Sequence, residues 1–378
     1  MEADLKIALR DSASATRPYV LVNPLQAKHL PSVPSVTLEY FARLGRKVAD
    51  TCEGEKVLTI GFAETATAVG AVVASAVGNS VYAHTTREPL PAVSSRSGEP
   101  LRLAAEFFEE HSHAKNQALY LRESFSDLSV YDRIVFVEDE ITTGKTILNF
   151  LRNVDYGGNI TVSALVFNGF DKSAFSSYRA EFVCLQEVPD NWDYRRFEAR
   201  EFGAGPDPAG KPSPMELVPC FFDRLEFGAL PDPRSGVESG AYRRECAELA
   251  SQIAAALGEH DVRDKDILVV GTEEFMYPAL ALGYELEKNA RSVKSQSTTR
   301  SPLLPLRAEG YPIHTRLEFA SLYDHGRTTY LYNMEKYDTV IIFTDARSSP
   351  SDELAGALLG CGNTKIYFVS FVRPRNAD

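Results

Sequence analysis

The chain has 378 residues, 44% of them hydrophobic and 24% charged, with 24 Gly and 21 Pro. That length predicts two domains, and the composition excludes collagen-like and disordered chains. Forty Lys+Arg against 52 Asp+Glu leave a formal charge of −12. The summed field therefore repels nucleic acid and anionic lipid, and an anionic ligand has to be caught by a local cationic or backbone site. The five cysteines (Cys52, Cys184, Cys220, Cys246 and Cys361) are scattered, with no CxxC pair and no His at zinc-finger spacing; reduced, buried thiols are expected. No stretch approaches the ~18 apolar residues of a membrane span. The first twenty residues include Glu2, Asp4 and Asp11 and no apolar leader, so a soluble, cytoplasmic protein is expected.

In chain order, the first half reads as a helix over 36–51, a strand over 56–60, a helix over 65–77, strands over 81–84, 118–121 and 133–137, a helix over 146–154 and a strand over 160–167. Continuous apolar strands alternating with helical patterns predict a mostly parallel sheet covered on both faces. The stretch 203–214 is dense in Gly and Pro, as a linker should be. Beyond it the pattern recurs. Val57-Leu-Thr-Ile-Gly-Phe-Ala-Glu64 matches Ile267-Leu-Val-Val-Gly-Thr-Glu-Glu274, and Thr85-Thr-Arg87 matches Thr298-Thr-Arg300. His113-Ala-Lys115 matches His325-Gly-Arg327, and Tyr131-Asp132 with a strand ending at Asp139 matches Tyr337-Asp338 with a strand ending at Asp345. Four matches in one order imply a tandem duplication. The expected fold is α/β: two tandem, doubly wound domains with mostly parallel sheets, over 1–205 and 206–378.

The segment 134–146 carries the chemistry. An apolar strand delivers Glu138 and Asp139 at its carboxyl end, where ligands bind in open α/β sheets. Thr142, Thr143, Gly144, Lys145 and Thr146 then open a helix, whose free N–H groups and positive end suit a phosphate. Two ionised carboxylates accept hydrogen bonds from vicinal hydroxyls. A phosphate beside a cis-diol describes ribose 5-phosphate. Gly144-Lys145-Thr146 also ends a nucleotide P-loop, but that motif needs Gly five residues earlier, where Asp139 stands.

Residues 134–146 resemble the thirteen-residue phosphoribosyl-pyrophosphate (PRPP) motif of type I phosphoribosyltransferases. The segments 23–31, 61–66 and 110–114 resemble the orotate-phosphoribosyltransferase-like enzymes of tellurium-resistance-associated gene clusters, whose second domain carries the signature spelled here by Thr299-Arg-Ser-Pro302 (TRSP). The resemblance implies transfer of the phosphoribosyl group of PRPP, carried as its Mg²⁺ complex, to a base-like acceptor. Glu138 and Asp139 would hold the ribose hydroxyls and residues 142–146 the 5-phosphate. Ala63, Glu64 and Thr65 would form the pyrophosphate loop, with Arg87 against pyrophosphate. Glu138, Asp139 and Arg87 are the expected catalytic residues. Purine transferases carry an acidic residue at the position of Thr142, so an orotate-like or otherwise self-activating acceptor is favoured. The segment 92–103 matches the mobile loop of such enzymes. A PRPP-sensing regulator without turnover, or nucleotide pyrophosphorolysis or phosphorolysis, would use the same motif.

Other residues admit plainer readings. Glu64 suits a first helical turn, Arg87 a surface, and His111 and His113 a solvated helix end. Trp192 reads as a core or interdomain anchor rather than a ring stacked on an acceptor base, and Lys28 and His29 match the family segment as acceptor contacts. In the second copy the acidic pair is reduced to Asp345, Pro350 replaces the loop Gly and Asp352 adds negative charge, so PRPP binding there is not expected. The second copy keeps Glu274, Arg300, His325 and Arg327. That leaves two expectations: an intramolecular pseudo-dimer in which Arg300 or Arg327 serves the first unit's leaving group, or a separate effector in the second unit's own cleft. A homo-oligomer is compatible with either.

Overall fold

Val57–Gly61 and Arg133–Ile141 are short runs of apolar and β-branched residues, the composition of strands buried on both faces. In the computed structural model, which describes residues 2–11, 17–94, 97–107, 117–198 and 223–372, they lie side by side in parallel at the centre of a six-stranded sheet. The order across that sheet is Val237–Glu238, Ser80–His84, Val57–Gly61, Arg133–Ile141, Asn159–Asn168, Ala180–Val188, all parallel except the two-residue edge strand. Leu58, Ile60, Phe62, Phe136, Phe150 and Phe167 are among its buried core residues, each contributing about 1.5–3 kcal/mol by removal from water. A second sheet of five parallel strands runs Asp223–Phe227, Ile366–Phe371, Thr339–Phe343, Asp266–Gly271, Ser292–Ser297. The expected α/β class with mostly parallel sheets is thus observed.

The duplication is visible in the hydrogen bonds. Thr85 donates its N–H to Gly61 O at 3.0 Å, as Thr298 does to Gly271 O at 3.0 Å. Thr86 exchanges backbone bonds with Ala118, and Thr299 does so with Tyr330. The Asp132 carboxylate accepts from Lys56 N at 2.8 Å, and Asp338 accepts from Asp266 N at 3.0 Å. Each copy also carries an antiparallel hairpin, Leu101–Phe107 with Gln117–Arg122 and Arg316–Ala320 with Thr328–Tyr332.

The two compact units are discontinuous, unlike the contiguous division read from the sequence. The first comprises 1–2, 38–192 and 230–245; the second comprises 3–37, 193–229 and 246–378. In each half the boundary falls inside a helix, Pro34–Ala49 and Ser239–Ala256. In the first unit, Val237 pairs with Tyr82 and Glu238 with Val81, covering the sheet edge. In the second unit, Ser32 bridges Ser295 on the equivalent strand. An uncovered parallel edge presents unpaired N–H and C=O groups. A segment far away in sequence satisfies each one, which no local pattern announces.

Three helices begin and end within two residues of expectation, at Pro34–Ala49, Ala66–Ala76 and Lys145–Asn153. The strand expected over 118–121 is real but belongs to the antiparallel hairpin, not to the parallel sheet. Of the segment expected as a mobile loop, Leu101–Leu103 is strand, Val93 bridges Pro100, and Ser95 and Arg96 lie outside the described residues. Cys52 and Cys246 are buried, whereas Cys184 and Cys361 are only half-buried; Cys220 is outside the described residues. Burial pushes the Cys52, Cys184 and Cys361 thiols up from their ordinary value. Among the described residues, no helix is long and apolar enough to cross a membrane.

Candidate active site

Three neighbouring parallel strands of the first unit end together, and the loops that leave them hold the predicted residues. The strand Val57–Gly61 feeds Ala63, Glu64 and Thr65; Ser80–His84 feeds Thr85, Thr86 and Arg87; Arg133–Ile141 contains Glu138 and Asp139 and feeds Thr142–Thr146. Phe62 N–H donates to Val137 O at 3.1 Å, which ties the first loop to the acidic pair. The central strand runs four residues further than its apolar run predicts, so Glu138 and Asp139 lie within it; both are half-buried.

Gly144 turns the strand into the helix. Its φ of 67° is left-handed, a conformation glycine adopts without the steric cost a Cβ brings. A Cβ there would also lie 2.7 Å from the Phe175 ring and 3.1 Å from Phe170. The helix Lys145–Asn153 has no side-chain cap and no acid in its first turn. Thr143 Oγ1 accepts from the Lys145 N–H at 3.4 Å, and the positive end of the helix dipole lies at this turn, a position that suits an anion. Thr143 and Lys145 are exposed, Thr142 and Thr146 half-buried.

The Ala63 loop is held by a buried polar triangle that sequence reasoning missed. Thr85 Oγ1 accepts from Ala63 N–H at 2.8 Å and donates to Gln117 Oε1 at 2.5 Å, and Gln117 Nε2 donates to Ala63 O at 3.0 Å. The Ala63–Glu64 peptide is cis. Gly61 and Gly70 let the following helix approach, with Gly70 3.1 Å (as a built Cβ) from the Gly61 Cα. The only sequence signal for Thr85 is its recurrence as Thr298. Nothing local marks Gln117.

Trp192 is half-buried rather than a core residue. Its Nε1 donates to Asn168 Oδ1 at 3.2 Å, and Asn168 Nδ2 donates to Glu140 Oε1 at 2.7 Å, next to Asp139. Lys28 and His29, expected as acceptor contacts, belong instead to the second unit. There the buried Lys28 amine donates to the carbonyls of Glu273 (3.3 Å) and Thr298 (3.1 Å). His111, His113 and Lys115 lie outside the described residues. A cavity of about 560 Å³ lined by Glu53, Glu55, Tyr131, Asp132, Asn159 and Arg179 lies at the amino ends of the strands, the opposite side of the sheet from the loops above.

The same strand ends in the second unit are filled by the chain itself. Glu273, at the position of Ala63, is 1% exposed and bonded by Arg300 and Arg327. Tyr323 donates its hydroxyl to Asp345, the remnant of the acidic pair. The helix Asp352–Gly360 is capped by Ser351, whose side chain accepts from Leu354 N–H, and Asp352 and Glu353 stand in its first turn.

Residues 5–166 match a family model described as phosphoribosyl transferase, and residues 233–359 match the TRSP domain that lies C-terminal to it; together they span most of the chain. No curated protein matches. Among solved structures the chain is similar to adenine phosphoribosyl transferase from Trypanosoma brucei in complex with AMP, pyrophosphate and ribose-5-phosphate. That match has 15% identity over 49% of this chain and 76% of that one, with a TM-score of 0.32.

Proposed function

Starting from a chain whose residues 5–166 match the phosphoribosyl transferase model and whose residues 233–359 match the TRSP domain C-terminal to it, we propose that the first unit transfers the 5-phosphoribosyl group of PRPP to a base-like acceptor, releasing pyrophosphate. The observation that carries this reading is the pairing of an uncapped helix N-terminus at Gly144 with two half-buried carboxylates just upstream, at the end of the central strand. That is a phosphate site and a diol site at adjoining positions.

The roles follow from charge and reach. Glu138 and Asp139 accept from the two ribose hydroxyls, and the N–H groups at the start of Lys145–Asn153 take the 5-phosphate. The C1–O bond then breaks: both its electrons leave with pyrophosphate, the ribose passes through an oxocarbenium-like state, and an acceptor nitrogen forms the new bond. Ala63, Glu64, Thr65 and Arg87 receive the leaving group, whose growing charge Arg87 stabilises. The triangle of Thr85, Gln117 and Ala63 keeps that loop in place before the reaction begins. Mg²⁺ neutralises diphosphate oxygens when bound.

Thr142 supports an acceptor that needs no acidic residue to assist it, as orotate does not. Calorimetry with Mg-PRPP, followed by pyrophosphate release across a panel of pyrimidine and purine bases, tests the reading. Binding of one PRPP per chain with acceptor-dependent release is expected. Binding without release for any base would point to a sensor, and no binding at all would overturn the proposal.

A further inference from the structure

The second unit carries a constellation that the transfer reaction does not use. Glu273 is 1% exposed, and its Oε2 takes Arg300 Nε at 2.5 Å and Arg327 NH2 at 2.8 Å. Its Oε1 takes the Ser321 hydroxyl, which Arg327 NH2 also reaches at 3.0 Å. The residue has φ 49°, a left-handed conformation uncommon outside glycine. Its N–H is held by Thr298 Oγ1 at 3.0 Å and its carbonyl by Lys28 Nζ at 3.3 Å. The surroundings thus over-determine an unusual backbone whose carboxylate is turned onto two arginines, the kind of outlier that marks a built site.

The duplication says what this carboxylate replaces. Gly271 corresponds to Gly61 and Thr298 to Thr85, since both pairs make the same strand-end hydrogen bond, so Glu273 corresponds to Ala63 and Arg300 to Arg87. Where the first unit has the methyl group of Ala63, the second has a carboxylate bonded to Arg300, the counterpart of Arg87. An ionised carboxylate on Arg offers the same planar, charge-assisted acceptor geometry as a phosphate group.

We propose that the second unit contains an anion site occupied by the chain's own Glu273, and that removing this carboxylate turns the unit into a binder of inorganic pyrophosphate. The inference rests on the proposed function only in reading the Ala63 and Arg87 loops as the pyrophosphate side of the first unit. It also assigns the arginine of the Thr-Arg-Ser-Pro signature a partner within its own unit. Thr299 and Ser301 hold its backbone: Thr299 pairs with Tyr330, and Ser301 O accepts from Tyr332 at 2.5 Å.

The experiment compares the full chain with Glu273→Ala, which deletes a fragment the size of acetate. Two half-buried arginines lose the Glu273 carboxylate, so Tm is expected to fall by roughly 10 °C. Added acetate should raise the variant's Tm and leave the parent's unchanged. Calorimetry with pyrophosphate should find one more site per chain in Glu273→Ala than in the parent, and the triple substitution Glu273→Ala/Arg300→Ala/Arg327→Ala should lose that extra site. The difference of one is read whether or not the first unit binds pyrophosphate, so failure here is distinct from failure of the transfer reading. Should Glu273→Ala not fold, Glu273→Ala/Arg327→Ala leaves a single arginine, as in the first unit, and the same extra site is expected with weaker affinity. A folded variant that gains no pyrophosphate site, or an acetate response equal in parent and variant, overturns the proposal.

Discussion

The two units share a sheet order, a hairpin and the strand-end hydrogen bonds, yet differ in how their polar groups at those ends are satisfied. In the first unit the helix N-terminus at Gly144 has no cap and no acid in its first turn. In the second, Ser351 caps the equivalent helix, Asp352 and Glu353 stand in its first turn, Tyr323 takes Asp345, and Glu273 takes both arginines. A fold of this kind does not by itself confer binding. On the proposed reading, what separates the two units is whether the chain itself or a ligand answers the same donors and charges.

The comparison can be broken most forcefully at the carboxylates. Glu138→Gln with Asp139→Asn should cost about 3–6 kcal/mol of PRPP affinity, two charge-assisted hydrogen bonds, with the circular-dichroism spectrum and Tm retained. Gly144→Ala comes next: the added Cβ meets Phe175 and requires φ of 67°, so loss of about 1–3 kcal/mol of stability with weakened PRPP binding is expected from denaturant unfolding and calorimetry. Arg87→Ala should weaken PRPP binding by roughly 10–100-fold. Arg300→Ala should leave that affinity unchanged while lowering Tm; a matching loss of PRPP affinity would restore the pseudo-dimer expectation. Gln117→Leu leaves the Ala63 carbonyl and Thr85 hydroxyl short of a partner and should cost about 1–3 kcal/mol, read as slower pyrophosphate release.

The smallest effect concerns acid. Arg291 and Ser292 hold the Asp266 carboxyl down to about 2. A depressed carboxylate stabilises the fold above its unfolded value of about 4, and that contribution is lost as pH falls from there toward 2. Asp266→Asn should therefore narrow the gap between neutral and acidic stability slightly, as measured by Tm from pH 6 to 2.5; the pair is largely exposed, so the change is small.

Much of the site was legible because its elements are local. The acidic pair, the Thr/Gly turn and the following helix form one continuous segment, and each residue type has a single dominant physical use there. The repeat was legible because Thr85-Thr-Arg87 and Thr298-Thr-Arg300 keep the residues that make the strand-end bonds. Long-range pairing was not legible. Val237 on Tyr82, Ser32 on Ser295 and Lys28 under Glu273 join residues more than 150 apart with no periodicity to betray them. Gln117 looks like any strand polar residue until the fold brings it against Thr85 and Ala63.

The central claim is that one unit binds PRPP and its copy does not. Titrating the full chain with Mg-PRPP, in parallel with Glu138→Gln/Asp139→Asn and with Asp345→Asn, tests it most directly. One PRPP per chain, abolished by the first substitution and untouched by the second, is the predicted result. Two sites per chain, or loss of binding with Asp345→Asn, would contradict it.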